Sequence, residues 1–247
     1  MTAANAPVRG DWLRVFAATR ADAPRLVCLP HAGGSASFFA PLARALAPRV
    51  RVLAVQYPGR LDRRREPAVA DVRELAALVA DAVNAEPGPP PAALFGHSMG
   101  ALVAFEAVRS GRLAPGRIFA SAARSPDRTR VDPSIVLDDD ALIGEVLDLG
   151  GTTPELRTDP ALRALVLPAL RGDYRALHSY TPEPGARVDC PVTVLTGDRD
   201  PLVPVRDALG WRDSTTGAFD FTVLQGDHFY LTPRLTDVAD AVRAALL

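Results

Sequence analysis

Lysine is absent from the 247 residues, so all 28 basic side chains are arginines. Cysteine is scarce, at two, and histidine nearly so, at four. Two cysteines cannot build a disulfide framework, and a chain of this length does not need one. Metal sites made of cysteine clusters are excluded with it. Cys28 and Cys190 fall in or beside strand-like runs and read as reduced packing residues. An excess of one charge is also lacking. The 28 arginines face 29 acidic residues, a formal net charge of −1, which argues against binding nucleic acid by neutralising phosphates. No run approaches the roughly 18 apolar residues of a membrane span. The opening MTAANAPVRGDWLRVF is broken by Asp11 and Arg14 before any apolar core of signal-peptide length. The expectation is a soluble cytoplasmic protein, acting as a monomer, with no metal, cofactor, nucleic-acid or membrane partner.

What is present is apolar. Hydrophobic residues make up 48% of the chain, too many for a disordered one. There is no internal repeat, and the longest linker-like stretch is the Pro-rich Glu86 to Pro91. One domain spanning residues 1–247 is expected.

Strand-like and helix-like segments alternate. Arg25 to Leu29, Arg51 to Tyr57, Ala92 to Phe95 and Arg117 to Ala122 read as strands. Between them, helical spacing runs through Phe38, Phe39, Leu42 and Leu46, through Asp71 to Val83, and through Ala101 to Val108. Val192 to Leu195 and Phe221 to Leu224 supply two later strands, and Leu235 to Leu247 a last helix. This alternation predicts an α/β fold with a mostly parallel sheet flanked by helices. In such sheets ligands sit at the carboxyl ends of the strands.

Residues 126–188 break the pattern with helices alone. Asp138 to Leu149 has acids in its first turn and Gly150 as a stop. The next helix has Asp159 as N-cap and Pro160 at its first position, and Pro168 is expected to kink or split it. This insertion reads as a lid over a pocket. A helical layer of the core is the alternative.

Chemistry enters at Gly96-His97-Ser98-Met99-Gly100, a G-x-S-x-G sequence placed between a strand and a helix. A nucleophilic serine there needs small neighbours so that strand and helix can approach. It also needs a base. His97 lies inside the turn, His31 precedes Gly33-Gly34, and His178 lies in the insertion. His228 follows a strand near the C-terminus and is the expected base. The acid should lie between serine and base. Asp200, before Pro201, is preferred to Asp198, which suits a solvated turn. Asp127 is a rival, and Asp227 is too close to His228 in sequence to serve it. The oxyanion donors would be the backbone N–H groups of Met99, after the nucleophile, and Ala32, in the loop after the first strong strand.

Five motifs then occur in order: Pro30-His31-Ala32-Gly33-Gly34, Gln56-Tyr57-Pro58-Gly59-Arg60, the serine motif, Gly197-Asp198-Arg199-Asp200-Pro201 and Gly226-Asp227-His228-Phe229. Leu149-Gly150-Gly151 and Leu167-Pro168-Ala169-Leu170-Arg171 accompany them in the insertion. Over nearly its whole length the chain resembles the type II thioesterases of polyketide and nonribosomal peptide biosynthesis. The resemblance implies an α/β-hydrolase fold with a helical lid. It implies hydrolysis of aberrant or stalled acyl thioesters from the phosphopantetheine arm of an acyl or peptidyl carrier protein. It places the triad on Ser98, Asp200 and His228. A general carboxylesterase or lipase on the same fold is the alternative. The basic cluster Arg60 to Arg65 is either a solvated loop or a docking surface for an acidic carrier.

Overall fold

The computed structural model describes residues 12–132, 134 and 138–247. The N-terminal stretch through Asp11, and positions 133 and 135–137 of the expected insertion, lie outside the described residues. In chain order the elements are β1 (Leu13–Arg14), β2 (Arg25–Leu29), α1 (Ala40–Leu46), β3 (Arg51–Val55), α2 (Val72–Ala85), β4 (Ala93–His97), α3 (Met99–Arg109) and β5 (Ile118–Ser121). They continue with α4 (Asp139–Asp148), α5 (Pro160–Ser179), β6 (Val192–Gly197), the single turn α6 (Val205–Ala208), β7 (Phe219–Leu224) and α7 (Leu235–Leu246). Among the described residues the strands form one seven-stranded sheet, ordered β1-β3-β2-β4-β5-β6-β7. β1 alone runs antiparallel, paired with β3.

The strands are apolar on both faces because helices cover both. In β2, Val27 and Leu29 join a core with α2, α3 and Trp211, while Leu26 and Cys28 join one with α1 and α7. Both cysteines are free and buried. The helix starts follow their caps. The Asp71 side chain accepts the N–H groups of Arg73 and Glu74 below α2, and Asp159 accepts those of Ala161 and Leu162 below α5. Each such cap contributes about 1 kcal/mol.

The chain lays β3 on one side of β2 and β4 on the other. The crevice between the ends of β2 and β4 is therefore the topological switch point, where such sheets bind ligands. Register aligns the strand ends. Leu29, Gly96, Ala120, Val194 and Phe221 form one row across β2, β4, β5, β6 and β7. The loops that follow this row carry all the candidate site residues.

The helical segment after β5 has a small core of its own. Leu142, Ile143 and Val146 of α4 meet Leu156 and Leu167, Leu170 and Tyr174 of α5, and Ala32 packs against the edge of this cluster. Two expectations need correction here. Of the kink or split expected at Pro168, the split does not occur, since α5 continues from Pro160 to Ser179. Both Pro168 and Ala164, whose carbonyl loses its N–H partner, lie on the exposed face, where water can satisfy that carbonyl. The Arg60 to Arg65 cluster is neither one solvated loop nor one charged surface. Arg63 is buried, bonded to Glu66 and to the Gln56 carbonyl, with its guanidinium 4.3 Å from the Trp12 ring centre. Arg60 is buried too, whereas Arg64 and Arg65 are exposed.

Candidate active site

Ser98 sits between β4 and α3 with φ +54° and ψ −119°, a conformation costly for a side chain-bearing residue. Its surroundings over-determine it. The Ser98 N–H donates to the Ser121 carbonyl at 2.8 Å, and its own carbonyl accepts from Ala101 N–H at 2.9 Å. The flanking glycines are required by contact rather than by dihedral freedom. A Cβ on Gly96 would lie 2.3 Å from the Ala101 nitrogen, and one on Gly100 would lie 2.0 Å from the Leu29 carbonyl oxygen. Met99 is the first residue of α3, where helix N–H groups lack an intrahelical acceptor.

Asp200 and His228 come from the loops after β6 and β7. Asp200 Oδ2 lies 2.8 Å from His228 Nδ1. The other oxygen, Oδ1, accepts the N–H groups of Leu202 and Val203 at 2.9 and 3.0 Å. The carboxylate is thus locked by its own turn while it orients the imidazole, and both side chains are buried. The other acids lie elsewhere. Asp198 Oδ1 accepts from Gly226 N–H at 2.8 Å, so it is half-exposed yet ties the two loops together. Asp127 accepts from Ser125 Oγ and is otherwise exposed, and Asp227 accepts the N–H of Phe229. His178 is exposed near the end of α5.

Ser98, Met99, Ala32 and His228 line one cavity of about 450 Å³, to which α4 and α5 also contribute lining residues. Its wall is mostly aliphatic, with Leu102, Val146 and Leu170 among its members. Arg124 and Glu145 add opposite charges to the lining. The Glu145 carboxyl is raised, mainly by burial and further by Asp148, while Arg124 and His228 oppose the shift.

Three imidazoles cluster beside this cavity. The His97 ring lies 5.5 Å from that of His228 and 5.8 Å from that of His31. Burial pushes His97 well below its usual range, and positive charge on His228 or His31 would push it further. Burial also takes His31 down to about 3, with His228 and Arg60 adding to the effect. Two of the three are therefore held neutral, and His228 alone is bonded to a carboxylate.

Sequence reasoning missed a supporting network. His97 Nδ1 lies 2.9 Å from Ser121 Oγ, which lies 2.6 Å from Tyr230 Oη. It joins the serine turn to the histidine loop behind the cavity. His97 and Tyr230 each stand beside a motif residue, but nothing in their spacing reveals that they share a hydroxyl. Sequence reasoning also missed Asp173 of α5, which accepts the N–H of Gly33 at 2.7 Å and pairs with Arg60.

A family model described as a thioesterase domain matches residues 24–246. A probable cadicidin biosynthesis thioesterase of Streptomyces griseus is 44% identical over 95% of this chain, which spans 66% of that relative's length. Thioesterase PikA5 of Streptomyces venezuelae is 42% identical over 96% of this chain and 86% of its own. Among solved structures, BorB, a type II thioesterase from the borrelidin biosynthetic cluster, superimposes with a TM-score of 0.86 at 42% identity. It covers 96% of this chain and 98% of its own. With its α/β-hydrolase topology, the chain belongs to the thioesterase-domain family, beside the type II thioesterases of polyketide and nonribosomal peptide biosynthesis.

Proposed function

We propose that the chain hydrolyses acyl thioesters from the phosphopantetheine arm of a carrier protein in a polyketide or nonribosomal peptide pathway, through an acyl-Ser98 intermediate. The observation that carries this reading is that His228, locked by Asp200 behind it, opens on the same cavity as Ser98.

The steps follow from the groups present. Ser98 Oγ attacks the thioester carbonyl as His228 takes its proton, and Asp200 stabilises the resulting imidazolium. The N–H groups of Ala32 and Met99 receive the oxyanion. The tetrahedral intermediate collapses, and His228 returns the proton to the departing thiol. With a pKa near 8.5, that thiol leaves readily. Water then attacks the acyl-Ser98 ester with His228 as base, which frees the acid and restores the serine. The cavity's aliphatic wall suits the acyl chain. No helix among the described residues is long and apolar enough to cross a membrane. In this reading the chain acts as a monomer, and α4 with α5 forms the lid, α4 being the part that moves against an anchored α5.

The test compares kcat/KM for a panel of acyl groups on carrier protein with kcat/KM for simple aryl esters. Carrier-bound thioesters should be preferred. An advantage of orders of magnitude for aryl esters would make the chain a general esterase instead. A fluorophosphonate should label Ser98.

A further inference from the structure

Arg60 and Asp173 form an ion pair whose side chains are 4% and 1% exposed. Removing two charges from water costs several kcal/mol per ion, and an apolar pair of like volume often serves stability as well. One further contact from each partner reaches the same turn. Asp173 Oδ2 accepts the Gly33 N–H at 2.7 Å, and Arg60 Nε donates to the Gly34 carbonyl at 2.8 Å. Arg60 Nη1 also donates to the Pro58 carbonyl at 2.6 Å. Gly33 and Gly34 close the turn that begins at His31, where the Gly34 N–H donates to the His31 carbonyl at 2.9 Å.

That turn fixes the direction of the Ala32 N–H. In a trans peptide the N–H lies opposite the carbonyl of the same unit. The His31 carbonyl faces into the turn toward Gly34, so the Ala32 N–H faces out of it. Close packing leaves the turn little freedom. Gly33 has φ +73°, and a Cβ there would lie 2.8 Å from Leu170 Cδ1 of the same helix that carries Asp173.

We infer that Arg60 and Asp173 are positioning residues for the oxyanion site: a buried clamp between α5 and the His31–Gly34 turn that aims the Ala32 N–H. The inference rests on the reading of Ala32 as an oxyanion donor and extends it to two residues that touch no reacting atom. Removing the clamp loosens the aim of one donor without deleting it.

The test replaces both ions together, Arg60→Met with Asp173→Leu, so that no charge is left buried alone. Folding is followed by urea unfolding. With an acyl-pantetheine thioester, kcat should fall on the order of 10- to 100-fold with KM within about twofold, since deleting an oxyanion donor outright costs roughly 100- to 1000-fold. The rate at which a fluorophosphonate labels Ser98 should fall in parallel. A folded double variant that keeps kcat within about threefold of the parent overturns the inference. If the double variant does not fold, the parent protein decides by NMR. The Gly33 amide should exchange slowly and resonate downfield, as a donor to a buried carboxylate. Rapid exchange at Gly33 overturns the clamp. Failure of the fluorophosphonate to label the parent at all is a different result, which removes the serine mechanism and the clamp's purpose with it.

Discussion

Gly100 meets Leu29 so closely that a methyl group on the glycine would stand 2.0 Å from the leucine's carbonyl oxygen. That contact sets how near α3 comes to the end of β2, and the two elements carry Met99 and lead to Ala32. Gly100→Ala should therefore do two things. It should destabilise the fold by about 1–3 kcal/mol or more, as overpacking does. It should also lower kcat in the fraction that folds. Urea midpoints and kcat on the same preparation check both.

Asp200→Asn should cost on the order of 10⁴-fold in kcat, because an amide at that position no longer holds the required imidazole tautomer or stabilises the imidazolium. Asp198→Asn retains an oxygen for the Gly226 N–H. Its loss should be smaller by orders of magnitude. The reverse ranking in a kinetic assay would move the acid to Asp198.

The neutral histidines make the fold sensitive to acid. His97 and His31 have folded pKa values below the unfolded value of about 6.5. As pH falls through that value the unfolded chain binds protons that the folded chain refuses, so stability declines. Each histidine contributes a slope approaching 1.4 kcal/mol per pH unit, at roughly pH 5 and below. For His31 this continues down to about pH 3. Urea unfolding between pH 4 and pH 7 should show the decline, and His97→Gln should flatten it.

Arg63 and Arg64 are neighbours with opposite fates. Arg63→Glu removes a buried cation from Glu66, the Gln56 carbonyl and the Trp12 ring, and should cost about 3 kcal/mol or more. Arg64→Glu is exposed and should stay within about 0.5 kcal/mol. A comparison of thermal midpoints decides, before any docking role is assigned to this loop.

The two insertion helices should differ in mobility. α5 is tied down at Leu170, Gly172 and Asp173, where a Cβ on Gly172 would lie 2.4 Å from Ala68 Cβ. α4 is held to α5 by the ion pairs of Asp139 with Arg171 and Asp140 with Arg163, which are open to solvent where the Arg60–Asp173 pair is buried. Hydrogen exchange should be faster in α4 than around Asp173, and it should slow in α4 once a long-chain phosphonate occupies Ser98. Uniform exchange across both helices would contradict a lid made of α4.

Much of this architecture is legible in residue order. Continuous apolar runs such as those of β2 and β4 mark strands covered on both faces. The Gly96 to Gly100 motif, read between a strand and a helix, points to the turn that the structure contains. Strand β1 escaped because two residues, Leu13 and Arg14, carry no period. The Arg60 cluster misled because charge read along the chain says nothing of burial. The partner of Arg60, Asp173, is 113 residues away, on a helix whose own pattern shows only an amphipathic stripe. His97 and Tyr230 escaped for the same reason. Their shared hydroxyl belongs to Ser121, a third strand's contribution.

The row from Leu29 to Phe221 also imposes a rule of parity. Successive residues in a strand point to opposite faces, so a pairing shift of one residue exchanges the faces. Shifting β6 against β5 by one would turn Val194 from the α3 side to the α7 side and advance Asp200 by one strand step, about 3.3 Å, relative to Ser98. A single-residue insertion inside β5 or β6 is thus no small change to this enzyme. Insertions in pairs preserve the faces, and loops beyond the row can lengthen without disturbing the alignment of the strands beneath the site.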